Sequence, residues 1–276
     1  MSRWQDPELP SVAFPPFVGV TRRLILVNVA IFLVTFFLKL IPATEDFYRS
    51  LVEHFALVPS DWTANFPLVP AWQLLTYGFL HSPVELGHIL LNMLTLYFFG
   101  TLLEEALGGR RYLLAYLSAQ VVGAFFFLGG AWLGLPSGSA AVGASGAVYG
   151  VLMAAATLYP QRRILFLFIP LTLRTLALIF VGLTVFQALL SLRQPDGTAH
   201  LVHLGGLVYG FLAVKRRWLF VDPVEKVRVR RAVAEVERRQ SDDARMDELL
   251  AKIHRDGMGS LTSGERDFLR RVSSRK

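Results

Sequence analysis

Long apolar runs, separated by short polar segments, occupy most of the chain before residue 215. A helix that spans a bilayer needs roughly 20 mostly apolar residues. Six stretches approach that length, although the fourth and the sixth are short. The predicted spans are 24–41, 86–103, 112–134, 143–159, part of 164–192, and 199–214. The pattern therefore predicts an all-α membrane protein, a bundle of six transmembrane helices.

The first and fifth apolar stretches need separate treatment. Arg22 and Arg23 precede the first, and no small-residue cleavage site follows it, so we interpret it as an anchor rather than a signal peptide. The fifth stretch is too long for one straight span. We expect Pro170 to separate a short buried or interfacial piece from a helix that starts near Thr172.

The basic residues between the spans predict the orientation. Residues 42–85 contain Arg49 as their only Lys or Arg. Basic pairs instead follow spans two and four, and Lys215 opens a basic tail after span six. By the positive-inside rule both termini face the cytoplasm and loop 42–85 faces outward. Its aromatic residues predict that this loop lies partly in the membrane interface.

Composition supports a membrane domain with a charged tail. The 276 residues are 53% hydrophobic and 18% charged, with a mean hydropathy of +0.45. Soluble domains carry about 25% charged residues, so an ordinary soluble enzyme and a disordered chain are both disfavoured. The chain has no cysteine, which excludes disulfides, thiolate metal sites and cysteine nucleophiles. Of the net charge of +7, residues 215–276 contribute +6.

These patterns divide the chain into three segments. Residues 1–21 form a cytoplasmic N-terminal segment, 22–217 the membrane domain, and 218–276 a charged cytoplasmic tail. We expect the tail to lie beside anionic membrane lipids. No nucleic-acid-binding motif accompanies its charge, so no nucleic-acid partner is expected.

Within the tail the pattern predicts a small helical hairpin. Residues 222–245 suit a solvated helix, and 246–254 have helical apolar spacing. Gly257 and Gly259 end that stretch. Thr262 followed by Glu265 is a capping box that opens a last helix.

Polar residues in three spans converge on one depth. In the predicted topology spans two, four and six all start at the outer face, and at 1.5 Å per residue their first turns lie within the outer 10 Å or so. Burying a polar side chain in lipid is costly, so polar residues near the starts of membrane-spanning helices are candidates for a functional site. These residues are His88, Asn92, Ser145, His200 and His203.

Small residues predict that spans four and six pack closely. Gly146 and Gly150 share one face of span four, and Gly206 and Gly210 share a face of span six. Close packing would bring Ser145 within reach of His203, as a nucleophile and its general base require. Taken alone, each of these glycines would only pack helices, and each polar residue would more often be structural.

No carboxylate lies within spans three to six, so a Ser-His dyad is expected instead of a triad. Ser145 at a helix start would place backbone N–H groups near a developing oxyanion. Asn92 and His88 are four residues apart on one helix face and could donate further hydrogen bonds to it.

Two alternative functions, a metal site and a transporter or channel, are less consistent with the sequence. A metal site could employ His81, His88, His200 and His203, but no acidic partner lies at that depth and no single helix has His-xxx-His spacing. We therefore expect no metal and no cofactor. A transporter or channel would show mid-membrane charges and a repeat across the two halves, and neither is present.

Taken together, the motifs resemble those of the rhomboid intramembrane serine proteases over about residues 20–217. The matching motifs are Gly143-Ala144-Ser145-Gly146, His203-Leu204-Gly205-Gly206 with Gly210, the pair His88 and Asn92, His81 after Gly78-Phe79-Leu80, and Tyr149. One departure is Trp72-Gln73, where the family often has Trp-Arg; it affects the anchoring of the first outer loop rather than the chemistry.

The resemblance implies roles for these residues. Ser145 would be the nucleophile and His203 the base, with Asn92, His88 and backbone N–H groups forming the oxyanion hole. Tyr149 would pack against the catalytic imidazole. Substrates would be single-span transmembrane proteins, cleaved near the outer face of a bacterial inner membrane. The alternative is a catalytically inactive relative that binds transmembrane clients.

Overall fold

The computed structural model describes residues 15–135, 138–166, 169–193, 199–221 and 223–273. The chain forms two compact units, one ending at Phe220 and the other beginning at Val221. Each unit is described by itself below.

The first unit is built almost entirely of helices. They are α1 (Gly19–Leu40), α2 (Glu45–Phe55), α3 (Pro59–Ala64), α4 (Gln73–Thr76), α5 (Leu86–Thr95), α6 (Thr101–Leu107), α7 (Gly109–Trp132), α8 (Ser145–Leu158), α9 (Leu173–Ser191) and α10 (His200–Lys215). A π-helical segment, Leu96–Gly100, joins α5 and α6 into one continuous helix. Short 3₁₀ turns follow α1, α4 and α10.

Four of these helices are long and apolar enough to cross a bilayer, which makes the chain a multi-pass membrane protein. They are Gly19–Leu40, Leu86–Leu107, Gly109–Trp132 and Leu173–Ser191. The helices α8 and α10 are apolar but shorter, with 14 and 16 residues. Their shortness agrees with the weak hydropathy of the fourth and sixth predicted spans.

The segment before α9 differs from the expectation of an all-helical chain. It forms a β-hairpin of two antiparallel strands, β1 (Arg163–Phe166) and β2 (Ile169–Thr172). Pro170 lies inside β2, opposite Leu165, rather than at a break before the helix. The helix begins where predicted, because the Thr172 hydroxyl accepts a hydrogen bond from the Thr175 amide and caps α9.

The helices α7, α8 and α10 form the centre of the unit. Glycines permit α8 and α10 to approach closely. A Cβ atom added at Gly206 of α10 would lie 2.0 Å from the carbonyl oxygen of Gly146 of α8, and one at Gly210 would lie 2.2 Å from that of Gly150. The two backbones therefore touch, as the small-residue pattern predicts. Gly150 also meets Ala119 of α7.

The start of α1 is held by a carboxylate from another helix. Glu104 of α6 accepts hydrogen bonds from the backbone amides of Val20 and Thr21, at 2.7 and 2.8 Å, and from the Thr21 hydroxyl at 2.8 Å. The first amides of a helix lack intrahelical partners and favour negative charge, so Glu104 acts as a cap supplied from a distance.

The segment between α1 and α5 is held together by Gln73, the residue at the Trp72-Gln73 departure. Its side-chain oxygen accepts from the Val58 amide and the Trp62 indole, each at 3.2 Å, and its amide nitrogen donates to Asp61 at 3.2 Å. Gln73 is fully buried. A neutral amide thus serves as both donor and acceptor within this loop.

The second unit contains a long helix α11 (Pro223–Asp256) and a short helix α12 (Ser263–Ser273). The stretches 222–245 and 246–254, expected as separate helical pieces, belong to one helix where the structure describes them. The helix ends before Gly257, whose φ is +79°. The capping box forms, since the Thr262 amide donates to Glu265 and the Glu265 amide to the Thr262 hydroxyl. A small apolar core joins the two helices through Leu249, Leu261, Phe268 and Val272.

Candidate active site

Ser145 and His203 are in direct contact. Ser145 is the first residue of α8, and its hydroxyl lies 2.7 Å from Nε2 of His203 on α10. The close approach of α8 and α10 at Gly206 and Gly146 brings this serine, the residue before Gly146, next to the imidazole that lies one turn before Gly206. A serine hydroxyl that donates to a neutral imidazole is the geometry of a nucleophile with its general base.

The imidazole is oriented by stacking. The Tyr149 ring lies parallel to that of His203, with centroids 4.5 Å apart and an interplanar angle of 12°. The other ring nitrogen of His203, Nδ1, is buried without a hydrogen-bond partner among the described residues. No described carboxylate therefore holds the imidazole as in a triad, and Tyr149 is the neighbour that sets its plane.

Tyr149 is in turn held by α9. The ring of Phe180 meets the Tyr149 ring edge to face, with centroids 5.3 Å apart. Phe180 is not predicted as a site residue from the sequence, because a phenylalanine in an apolar span carries no signal beyond helix packing.

Gly143 lets the backbone pass close to His88 and Ser145. Its backbone φ is +120°, a value that residues with a side chain rarely adopt. A Cβ atom built there would lie 3.0 Å from Nε2 of His88 and 3.7 Å from Oγ of Ser145. Any side chain at this position would therefore press on the His88 imidazole next to the serine hydroxyl.

His81 links the second and fourth predicted spans. Its Nε2 atom lies 3.4 Å from the Asn92 amide nitrogen and 3.5 Å from the backbone nitrogen of Ala144. The His81 and His88 rings are 5.4 Å apart. His81, Asn92 and Ser145 are all buried. Both contacts of Nε2 are with N–H donors, so this atom serves as an acceptor.

The start of α8 adds backbone donors. The first amides of a helix have no intrahelical acceptor, and the cap residue Ala144 supplies no side-chain hydrogen bond. These N–H groups and the positive end of the helix dipole favour negative charge next to Ser145.

The remaining candidate residues lie close to the Ser145–His203 contact. His200 is buried one turn before His203, with ring centroids 6.2 Å apart. Gly146 approaches Val202 of α10, where a Cβ atom would lie 2.6 Å from the valine side chain. Across the part of the chain that the structure describes, no group of three or more His, Asp or Glu side chains is arranged to hold a metal ion.

The comparisons with known proteins give the family. A family model described as a rhomboid domain matches residues 70–218, which is more than half of the chain. The chain belongs to the rhomboid family of intramembrane proteases. The matched region contains every residue that the sequence analysis placed in the candidate site.

Individual relatives are moderately similar. The chain is 31% identical over 166 residues to RHOMBOID-like protein 12, mitochondrial, of Arabidopsis thaliana, covering 55% of this chain and 48% of that protein. It is 29% identical over 196 residues to the putative rhomboid protease YdcA of Bacillus subtilis, covering 67% and 89%. It is 30% identical over 149 residues to the rhomboid protease GluP of Bacillus subtilis, covering 51% and 25%. The chain thus spans about half the length of the first relative and a quarter of the third.

Proposed function

We propose that this protein is an intramembrane serine endopeptidase that uses Ser145 as nucleophile and His203 as general base. The observation that carries the proposal is the 2.7 Å contact between the Ser145 hydroxyl and Nε2 of His203. The names of two relatives, the rhomboid protease GluP and the putative rhomboid protease YdcA, support the same reaction.

In the proposed first step, Ser145 Oγ attacks the carbonyl carbon of the scissile peptide bond while Nε2 of His203 takes the hydroxyl proton. The carbonyl oxygen becomes an oxyanion. Backbone N–H groups at the start of α8, the Asn92 amide and the His88 imidazole donate hydrogen bonds to it. The protonated His203 then gives its proton to the leaving amine, and the C–N bond breaks to leave an acyl-enzyme on Ser145.

Water completes the cycle. It attacks the ester carbonyl carbon while His203 takes one of its protons, and the second tetrahedral intermediate collapses with release of the new carboxyl group. His203 returns the proton to Ser145 Oγ. The stacked Tyr149 keeps the imidazole plane constant through both proton transfers, a task that a carboxylate performs in a triad.

We further propose that the chain crosses the membrane six times, with both termini and the tail in the cytoplasm. The helices α8 and α10 are then the two short spans. At 1.5 Å per residue the 14 residues of α8 extend about 21 Å, less than the roughly 30 Å of the hydrocarbon core. If its C-terminal end lies at the cytoplasmic boundary, Ser145 lies about 10 Å below the outer surface of the core. The proposed hydrolysis requires water to reach that depth from outside.

The proposed substrates are single-span transmembrane proteins. A helix hides its carbonyl groups in hydrogen bonds, so cleavage requires small or helix-breaking residues that let the segment unwind. The proposed location is the cell (inner) membrane of a bacterium. It is supported by YdcA of Bacillus subtilis, of which the alignment covers 89%; other relatives carry mitochondrial names.

The experiment that tests this function is cleavage in reconstituted vesicles. Purified protein and a single-span reporter with a small-residue segment near its outer end are incorporated together, and fragments are measured by mass spectrometry. We expect cleavage by the wild type and none by Ser145→Ala or His203→Ala. Stable reporter binding without cleavage by folded wild-type protein would instead support the inactive client-binding relative.

A further inference from the structure

The β-hairpin between α8 and α9 exposes apolar side chains at its outer half, by which we mean the half farther from the two helices that it joins. Leu165 of β1 is 48% exposed and Ile169 of β2 is 58% exposed. Pro170, paired with Leu165, is exposed as well. Apolar side chains grouped in this way at the end of an element mark a surface that meets something other than water.

The base of the same hairpin is basic. Arg162 immediately precedes β1, and Arg163 is its first residue. Arg174 lies in the first turn of α9, just after β2. All three arginines are exposed. Along the hairpin, charge at the base therefore gives way to apolar side chains at the outer half.

The hairpin is fixed to the rest of the unit. Ile164 and Leu171, which face each other across the strands, pack against the main apolar core. Backbone hydrogen bonds from Leu173 to Arg162 and from Arg174 to Pro160 close the base. Since β2 also runs directly into the cap of α9, the exposed half is held in one position.

We propose that this hairpin is a lipid-binding element that sits in the membrane leaflet on its side of the protein, with its outer half at the acyl-chain border and its arginines on anionic phosphates. That leaflet is the cytoplasmic one in the proposed topology. Arginine pairs well with phosphate, and basic residues beside spans are attracted to anionic lipid. The proposal depends on the membrane-embedded fold and not on proteolysis.

The dimensions suit a shallow position. Four paired residues per strand extend about 13 Å, whereas interfacial elements insert by about 5–10 Å, so only the outer half of the hairpin would enter the membrane interface. The outer edges of a two-stranded hairpin carry unpaired backbone groups, and these cannot enter the hydrocarbon core. At the headgroup level, water and phosphate can satisfy them.

A lipid occupant fits better than a protein partner. A stable protein interface needs about 800 Å² on each side, and the exposed apolar part of this hairpin consists only of the outer ends of two four-residue strands. The order of groups along the hairpin also matches a lipid, whose charged phosphate lies outside its acyl chains.

The chain contains no cysteine, so a single introduced cysteine can carry a fluorescent label at a chosen site. The environment-sensitive dye NBD is attached at Leu165→Cys or, as a second variant, at Ile169→Cys. The control is Val236→Cys, 53% exposed on α11 of the second unit, within the charge-dense stretch 222–245 that suits a helix in water at the level of the headgroups. Full-length protein is reconstituted in vesicles of phosphatidylglycerol and phosphatidylcholine, and quenching by doxyl-labelled lipid is compared with quenching by aqueous iodide.

We expect the labels at positions 165 and 169 to emit further to the blue than the label at 236. Doxyl lipid should quench both of them more strongly than iodide does, with the opposite order at 236. Iodide quenching at 165 and 169 equal to that at 236 would place the hairpin in water and overturn the proposal. Protection from both quenchers would also overturn it, because a protein would then cover the hairpin.

The arginines are tested by the double variant Arg162→Gln and Arg163→Gln carrying the label at position 165. We expect it to lose lipid quenching relative to the parent in vesicles with phosphatidylglycerol but not in pure phosphatidylcholine. Arg49→Gln, an exposed arginine of the outer loop, is the matched control and should lose none. Equal quenching of the double variant and its parent in both vesicles would contradict the phosphate contact.

Discussion

The ring of Tyr149 lies parallel to the imidazole of His203, 4.5 Å away, one turn along α8 from the serine that the imidazole contacts. One helix therefore carries both the proposed nucleophile and the group that orients its base. The spacing of Ser145 and Tyr149 keeps the two in register, since residues four apart share a helix face.

This relationship predicts different effects of two substitutions at Tyr149. Tyr149→Phe keeps the stacked ring and should label with an active-site fluorophosphonate at nearly the wild-type rate. Tyr149→Leu loses a ring contact worth about 0.5–1.5 kcal/mol, so we expect its labelling to slow by about 2- to 10-fold. Equal rates for the leucine and phenylalanine variants would show that stacking does not hold the imidazole.

Asn92 is expected to act as an oxyanion donor. Removing one such donor typically slows a reaction by about 100- to 1,000-fold, so Asn92→Ala should lose activity to that extent while remaining folded. The measurement is the turnover rate of the reporter in vesicles, with His81→Gln as a comparison because glutamine keeps an acceptor near the Asn92 amide. An unchanged turnover rate in Asn92→Ala would remove this residue from the oxyanion hole.

The contact between α8 and α10 is expected to tolerate no side chain at Gly206. The Cβ atom of Gly206→Ala would lie 2.0 Å from a backbone oxygen. Overpacking of this kind costs about 1–3 kcal/mol, and the required shift would also separate Ser145 from His203. We expect both a lower thermal midpoint in detergent and slower labelling.

Gly182→Ala is the control for that substitution. Gly182 lies in α9, and a Cβ atom there would meet nothing within 4 Å. Because alanine is the better helix former, Gly182→Ala should be as stable as the wild type or more so. A Gly206→Ala protein that matches this control in both measurements would contradict the close packing.

The carboxylate of Glu104 is expected to stabilise the fold without taking part in chemistry. A hydrogen bond to a charged group contributes about 1.5–3 kcal/mol to stability, and Glu104 accepts three such bonds at the start of α1. Glu104→Gln should therefore lower the thermal midpoint, whereas Glu105→Gln at the exposed neighbouring position should not. Equal midpoints for the two variants would show that the cap contributes little.

Much of the membrane unit could be predicted from the sequence because the signals are local. Long apolar runs predict the four long helices, and the paired glycines predict the contact that brings Ser145 to His203. The start of α9 follows from Thr172, whose hydroxyl can cap a helix. The capping box at Thr262 and Glu265 is equally local.

The features that were missed depend on contacts between distant residues. A short apolar run such as that around β1 does not distinguish a strand from a buried helix, so the hairpin was not foreseen. The cap that Glu104 places on Thr21 joins residues 83 positions apart. Phe180 and the ties of Gln73 are likewise visible only once the helices are packed.

The most direct test of the central claim is fluorophosphonate labelling of the purified, detergent-solubilised protein, with Ser145→Ala and His203→Ala as controls. The reagent reacts only with a serine whose hydroxyl is activated by a base. We predict labelling of the wild type at Ser145 and of neither variant. A folded wild-type protein that remains unlabelled, or a His203→Ala variant labelled at the wild-type rate, would contradict the Ser145–His203 dyad.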